Sequence, residues 1–187
     1  MSKVIAILGM HRSGTSMLTG CLEEAGLVLG EVETKYNEHN EKGQKEEIFL
    51  MELHEAVLQS NGGSWQLPPY TSHWRYFHRA CLKLYISKMS SHELWGFKDP
   101  RTILLLEEWK KQVTDLNLIG IFRHPWKVAH SLHKRNGFSY VQGLDLWLKY
   151  NRKLWEAKKN QNLPIIEFTN DHKTMQVKVL KLSLIHI

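Results

Sequence analysis

A chain of 187 residues fits a single domain, since one hydrophobic core commonly serves roughly 100–200 residues. Hydrophobic residues at 42% and charged residues at 24% give the balance of a soluble globular protein, which excludes disorder and membrane spanning as organising principles. Lys and Arg outnumber Asp and Glu by 25 to 19, so the formal charge of +6 favours an anionic partner without choosing among nucleic acid, nucleotide and acidic surface.

The first apolar run, Val4-Ile5-Ala6-Ile7-Leu8, has the length of a strand buried on both faces of a parallel sheet. It is too brief for a signal core, and His11-Arg12-Ser13 follows it in place of small cleavage-site residues, so the default location is cytoplasmic. After a glycine-bearing turn, Leu18, Cys21, Leu22 and Ala25 recur at helical spacing and Gly26 closes the helix. Cys21 and Cys81 lack any C-x-x-C or companion histidine pattern and read as buried thiols rather than a zinc site or a disulfide. Residues 48–58 read as a helix stopped by Asn61-Gly62-Gly63, and Leu67-Pro68-Pro69-Tyr70 as a connector. The next helix carries Phe77, Ala80, Cys81 and Leu84 on one face, and residues 94–97 supply a short strand. Asp99 then caps a helix with Pro100 at its first position and an apolar face over 103–113. Leu118-Ile119-Gly120-Ile121-Phe122 is a third buried strand, with Pro125 opening the helix behind it. Residues 141–159 form a long helix with Leu144, Trp147, Leu148 and Trp155 inward, before a fourth strand at 165–168. Strands alternating with helices predict α/β architecture: a P-loop-like three-layer αβα fold with a mainly parallel central sheet, in one domain over 1–181. Residues 182–187 match one reading frame of a sequencing adapter. They are expected to be a non-native tail, with the natural protein continuing further.

Gly9-Met10-His11-Arg12-Ser13-Gly14-Thr15-Ser16 lies between the first strand and the first helix. A glycine-bearing loop there lets successive backbone N–H groups converge on an anion, and the helix N-terminus adds about half a positive charge. The spacing is that of G-x-x-x-x-G-K-[ST], but Thr15 stands where the lysine of a nucleotide triphosphatase belongs, and the nearest cation is Arg12, inside the loop. Helix capping would explain one of the hydroxyls Ser13, Thr15 and Ser16, but not two glycines, an arginine and three hydroxyls together. Two more segments end strands and start helices: Gly96-Phe97-Lys98-Asp99-Pro100-Arg101-Thr102, and Arg123-His124-Pro125 running on to Ser131. Strand ends are where open α/β sheets collect ligands. Ser131 sits about two turns into its helix, on the order of 9 Å along the axis, so it serves a ligand lying beside that helix.

These segments together resemble the sulfotransferase superfamily that uses 3′-phosphoadenosine 5′-phosphosulfate, over roughly residues 3–170. Arg12-Ser13-Gly14-Thr15-Ser16 resembles its 5′-phosphosulfate loop, Arg123 with Ser131 its 3′-phosphate motif, and Lys98-Asp99-Pro100 a segment of tyrosylprotein and bacterial-type members. The resemblance implies that His11, Arg12, Ser13, Gly14, Thr15, Ser16, Arg123 and Ser131 bind this co-substrate, with Arg12 and Lys98 near the reacting group. Asn40-Glu41-Lys42-Gly43-Gln44-Lys45-Glu46 is similar to an Asn-x-x-Gly-x-x-Glu segment of bacterial-type relatives and makes Glu46 the candidate general base, with His39 and Glu38 as substitutes. Arg101 is left undecided, and Asp99 is read as structural. The implied reaction is in-line, metal-independent sulfuryl transfer to a hydroxyl or amine of a small-molecule or glycan acceptor, with no nucleic-acid or membrane partner. A P-loop kinase or nucleotide triphosphatase with an atypical loop is the nearest alternative, and a non-catalytic nucleic-acid-binding module a further one. The basic C-terminal loop of many superfamily members has no counterpart here.

Overall fold

The computed structural model describes residues 2–32, 45–161 and 163–186. Its elements are β1 (Lys3–Leu8), α1 (Thr15–Glu24), α2 (Ile48–Gln59), α3 (Tyr76–Met89), β2 (Leu94–Lys98), α4 (Thr102–Gln112), β3 (Leu116–Phe122), α5 (Pro125–Asn136), α6 (Tyr140–Asn160), β4 (Ile165–Glu167) and α7 (His172–His186). The strands form one all-parallel sheet in the order β2-β1-β3-β4. Parallel pairing forces every connection across a face of the sheet, so the fold is a three-layer αβα arrangement with the four carboxyl ends of the strands on one edge.

The period-two alternation of β1 divides the core. Val4, Ala6 and Leu8 join the larger cluster with α2, α3, α4, α5 and α6, while Ile5 and Ile7 join the smaller one with α1 and α7. The large cluster is built on aromatics: Phe97 and Trp109 stack at 4.0 Å, and Tyr85 meets Trp95 and Trp109 edge-on. On the other face Leu18 and Leu22 pack with Met175, Val179 and Leu182. The carboxyl end of α1 is closed by Gly26 at φ 102, with Gly26 N–H bonded to Glu23 O and Leu27 N–H to Leu22 O. Among the described residues no helix is long and apolar enough to cross a membrane.

Two helices turn a different face inward from the one the sequence suggests. In α3 the buried residues are His78, Leu82, Tyr85 and Met89, and Phe77 and Leu84 are 54% and 71% exposed. Both stripes have helical spacing; the buried one wins because Tyr85 lands on Trp95 and Trp109. In α6 the inward residues are Gly143, Leu146, Tyr150, Leu154 and Ala157, and Leu148 and Trp155 are exposed. Gly143 decides this: a Cβ there would lie 2.9 Å from Ala129 Cα, so α5 approaches α6 along the glycine. Trp147 is half-buried, its indole N–H donating to Arg123 O at 2.9 Å. Cys21 and Cys81 are half-buried rather than buried and form no disulfide.

The start of α4 also differs. Its N-cap is Arg101, with no side-chain cap, and the helix begins at Thr102. Asp99 O accepts from Thr102 N–H at 3.0 Å and Asp99 Oδ1 from Arg101 N–H at 3.2 Å, and the carboxylate is also held by two side chains described below.

Candidate phosphate-binding site

At the carboxyl edge, the loop after β1 packs against the ends of β3 and β4. Arg12 (φ 67) and Gly14 (φ 89) are both left-handed. Such a backbone is uncommon for a residue with a Cβ and costs on the order of 1 kcal/mol, and such strain collects at ligand sites. Only glycine fits position 14, since a Cβ would meet Phe168 Cδ2 at 2.3 Å as well as the φ penalty. Gly14 is also the N-cap of α1 and has no side chain to offer as a cap. Of the loop hydroxyls, Ser13 Oγ is buried with no partner among the described residues, Thr15 is buried, and Ser16 Oγ accepts from Lys98 Nζ at 3.4 Å.

Arg12, Gly14, Thr15, Ser16, Met17, Arg123 and Phe168 line a cleft of about 210 Å³. A larger cavity, about 630 Å³ and lined by Ser90, Glu93, Trp95 and Asp115 among others, opens at the amino ends of the strands, away from the loop. The smaller cleft is bordered by the two arginines of the predicted anion site. Arg12 Nε donates to Ser131 Oγ on α5 at 2.8 Å. Arg123 donates to Arg12 O at 3.3 Å and Asn170 Oδ1 at 3.4 Å, and its guanidinium lies 4.9 Å over the Phe168 ring. Burial, then repulsion from Arg135 and Arg123, lowers the Arg12 pKa, and burial lowers that of Arg123.

Lys98 is placed differently. It is 1% exposed and does not line the cleft, and its Nζ donates to Ser16 Oγ there. Its Nζ donates to Glu46 Oε1 at 3.1 Å, and the same carboxylate lies 3.6 Å from Arg101. Burial lowers the Lys98 pKa against the pull of Glu46. Arg101 in turn binds Glu55 at 2.7 Å and Asp99 at 2.8 Å, and Asp99 binds His54 Nδ1 at 2.7 Å. The Trp109 indole donates to His54 Nε2, so that nitrogen accepts and the ring proton sits on Nδ1, facing Asp99. Burial opposes the Asp99 charge, but the His54 hydrogen bond and the Arg101 charge outweigh it and hold the carboxyl below its ordinary value.

The structure thus brings Arg12, Gly14, Thr15, Ser16 and Arg123 to one cleft and reaches Ser131 through Arg12. Lys98 and Glu46 belong to a buried network beside it. Glu46 is not in the first turn of α2, where Glu47 is the N-cap, and it does not line the cleft. His11 is buried against Trp65 (4.3 Å) and Tyr150 (6.0 Å), with Nε2 lacking a partner. Burial, then the Arg101 charge, holds its pKa well below the ordinary value. Glu38, His39, Asn40 and Gly43 lie outside the described residues. Phe168, Asn170 and Trp65 had no sequence signal, because they arrive from distant segments; Arg101 did, as a cation two residues after Asp99. Among the described residues no group of three or more His, Cys, Asp or Glu is placed to hold a metal ion.

The class defined by fold and loop is a P-loop-like α/β protein with an all-parallel sheet. Solved structures that share that architecture include three. TT1252 from Thermus thermophilus aligns with a TM-score of 0.58 and 14% identity over the whole of this chain and 98% of its own. A gluconokinase from Sinorhizobium meliloti 1021 aligns at 0.52 and 13%, over 98% of this chain and 91% of its own. The sulfotransferase STF1 from Mycobacterium tuberculosis H37Rv aligns at 0.51 and 11%, over the whole of this chain and 67% of its own. Likeness at these identities is likeness of fold. No known protein family and no curated protein matches the sequence.

Proposed function

We propose that this chain is a group transferase that moves a sulfuryl group from 3′-phosphoadenosine 5′-phosphosulfate to a hydroxyl or amine of a small-molecule or glycan acceptor. The observation that carries the reading is the pair of arginines on one cleft, Arg12 held left-handed inside the helix-entry loop and bonded to Ser131, and Arg123 braced on that loop's carbonyl. The donor when bound supplies an activated sulfuryl group on a phosphate leaving group. The residues present fit such a doubly anionic nucleotide: Ser13 Oγ in the loop and Arg123 Nε beside it are buried polar atoms without partners among the described residues.

In this reading the loop amides and Arg12 neutralise charge growing on the leaving group, and a positioned donor of this kind contributes about 10²-fold or more. Lys98 is aimed at the loop through Ser16 and held there by Glu46, so Glu46 serves as a positioning residue and not as the base that touches the acceptor. No metal is assigned a role.

The gluconokinase likeness supports a kinase equally well at the level of fold. Thr15, in place of the phosphate-binding lysine, favours the sulfuryl donor. Thermal-shift titration separates the two. Adenosine 3′,5′-bisphosphate at about a hundred times its Kd should add roughly 2.7 kcal/mol of stability, with little response to ATP and magnesium or to oligonucleotides. Preference for ATP and magnesium overturns the reading in favour of the kinase, and response to oligonucleotides alone in favour of a nucleic-acid-binding module.

A further inference from the structure

The stripe of α3 that does not face the core is apolar. At about 100° per residue, Tyr76, Phe77, Ala80 and Leu84 fall within about 100° of arc, opposite the buried His78, Leu82, Tyr85 and Met89. Tyr76 is 87% exposed, and the connector leading into α3 adds an exposed Leu67 and a fully exposed Tyr70. Single apolar side chains at a surface need no explanation, but a band of them along one helix marks a contact surface.

Charge is arranged around this band. From Ala56 to His92 the chain has no Asp or Glu, where an even spread of its 19 carboxylates would put about four. The same span holds Arg75, Arg79, Lys83 and Lys88, all exposed. On the helix, Arg79 and Lys83 border the apolar band on one side and Lys88 on the other. Arg79 is bound to Glu108 of α4 at 2.9 Å and Lys88 to Glu31 at 3.0 Å, both carboxylates coming from outside the span. The Lys88 pair is exposed on both sides, the kind that contributes little and yields to a competing anion.

We propose that the outward face of α3, through Tyr76, Phe77, Leu84 and Lys83, docks this protein on an anionic lipid surface. An apolar band with aromatic rings, edged by cations whose stems lie along it and whose heads stay in water, is the pattern of a helix lying in a membrane interface. The protein lies on the membrane in this arrangement, since among the described residues no helix is long and apolar enough to cross one. Other occupants fit less well. A second copy docked two-fold on this face would bring two positively charged faces together. Nucleic acid would use the rings and the cations but offers nothing to Leu67 and Leu84. The sulfotransferase resemblance implies no membrane partner, so the docking face goes beyond it. None of its residues lines the Arg12 cleft, and either reading stands if the other fails.

The test is co-sedimentation of the chain with vesicles of phosphatidylcholine alone and of phosphatidylcholine mixed with phosphatidylserine. Wild type should bind the mixed vesicles more tightly, and raising salt from about 0.05 to 0.5 M should release it. Lys83→Gln and Leu84→Ser should each weaken binding about fivefold, the scale of one basic residue at an anionic surface or of one apolar side chain partly withdrawn from water. Lys153→Gln, at an exposed lysine of α6, should stay within about twofold and so separates this face from the overall positive charge. No sedimentation with the mixed vesicles, equal binding to both kinds, or equal weakening by Lys153→Gln overturns the proposal. So does self-association in sedimentation velocity, or binding of an oligonucleotide, that Leu84→Ser abolishes, because the face then belongs to a second copy or to nucleic acid. Thermal melting checks that the variants fold, which substitutions at exposed positions should leave intact.

Discussion

Two groups of cations meet at the carboxyl edge of the sheet, and the fold treats them in opposite ways. Lys98 and Arg101 are buried and tied to Glu46, Glu55 and Asp99, with His54 and Trp109 closing the chain of hydrogen bonds. Arg12 and Arg123 border a cleft and bond to a hydroxyl, a backbone carbonyl and an amide, while burial and mutual repulsion lower the Arg12 pKa. A buried charge must find its counter-charge within the protein, so the first group is scaffold. Positive charge concentrated on a strained loop suits an anion brought from outside, and the proposed function assigns its ligand to this second group.

Breaking the scaffold should have the largest effect on stability. Asp99→Ala leaves Arg101 and the His54 N–H short of an acceptor and should cost about 3–5 kcal/mol by urea denaturation, the scale for removing one partner of a buried pair. A loss below about 1 kcal/mol would show that the network is not the scaffold described. Arg12→Ala should lower turnover by about 10²-fold with stability nearly unchanged, and Lys98→Ala should lower both, because Lys98 belongs to the network and reaches the loop through Ser16. Near-normal turnover in both would refute their roles. Arg12→Gly sharpens the contrast: it should lose turnover equally yet gain about 0.5–1 kcal/mol of stability, because glycine accepts φ 67 without strain.

The dependence of stability on pH should show both regions at a smaller scale. His11 is held well below its ordinary value, so below about 6.5 the unfolded chain takes up a proton that the folded chain does not, and stability falls as pH falls. His78, lowered by burial, adds to this stage. Asp99 is depressed, so its contribution is complete above about 3.9 and is lost as pH drops through the folded value. Urea midpoints from pH 7 downward should therefore fall in two stages. His11→Phe should diminish the first stage only. The smallest effect belongs to a surface pair: Lys88→Ala breaks an exposed contact with Glu31 and should change stability by less than about 0.5 kcal/mol.

The order strand, phosphate loop, helix, and the strand ends at Lys98 and Arg123, could be read from the chain alone, because apolar runs, glycine placement and Pro125 are local signals. Residues 9–16 could be read as a glycine-bearing helix-entry loop for the same reason: the pattern is written in consecutive residues. Which stripe of α3 and α6 turns inward was settled by packing, since Phe77 and Tyr85 have equal claims by spacing and only the neighbouring Trp95 and Trp109 separate them. The division of the cations was likewise tertiary. Lys98, Arg123 and Arg12 look alike in sequence, and Lys98 became scaffold because Glu46 arrives beside it from 52 residues away, whereas Phe168 arrives beside Arg123 and Ser131 beside Arg12. A residue's type sets what it can bind; what stands within about 3 Å of it, which distant segments decide, sets whether that capacity is already used.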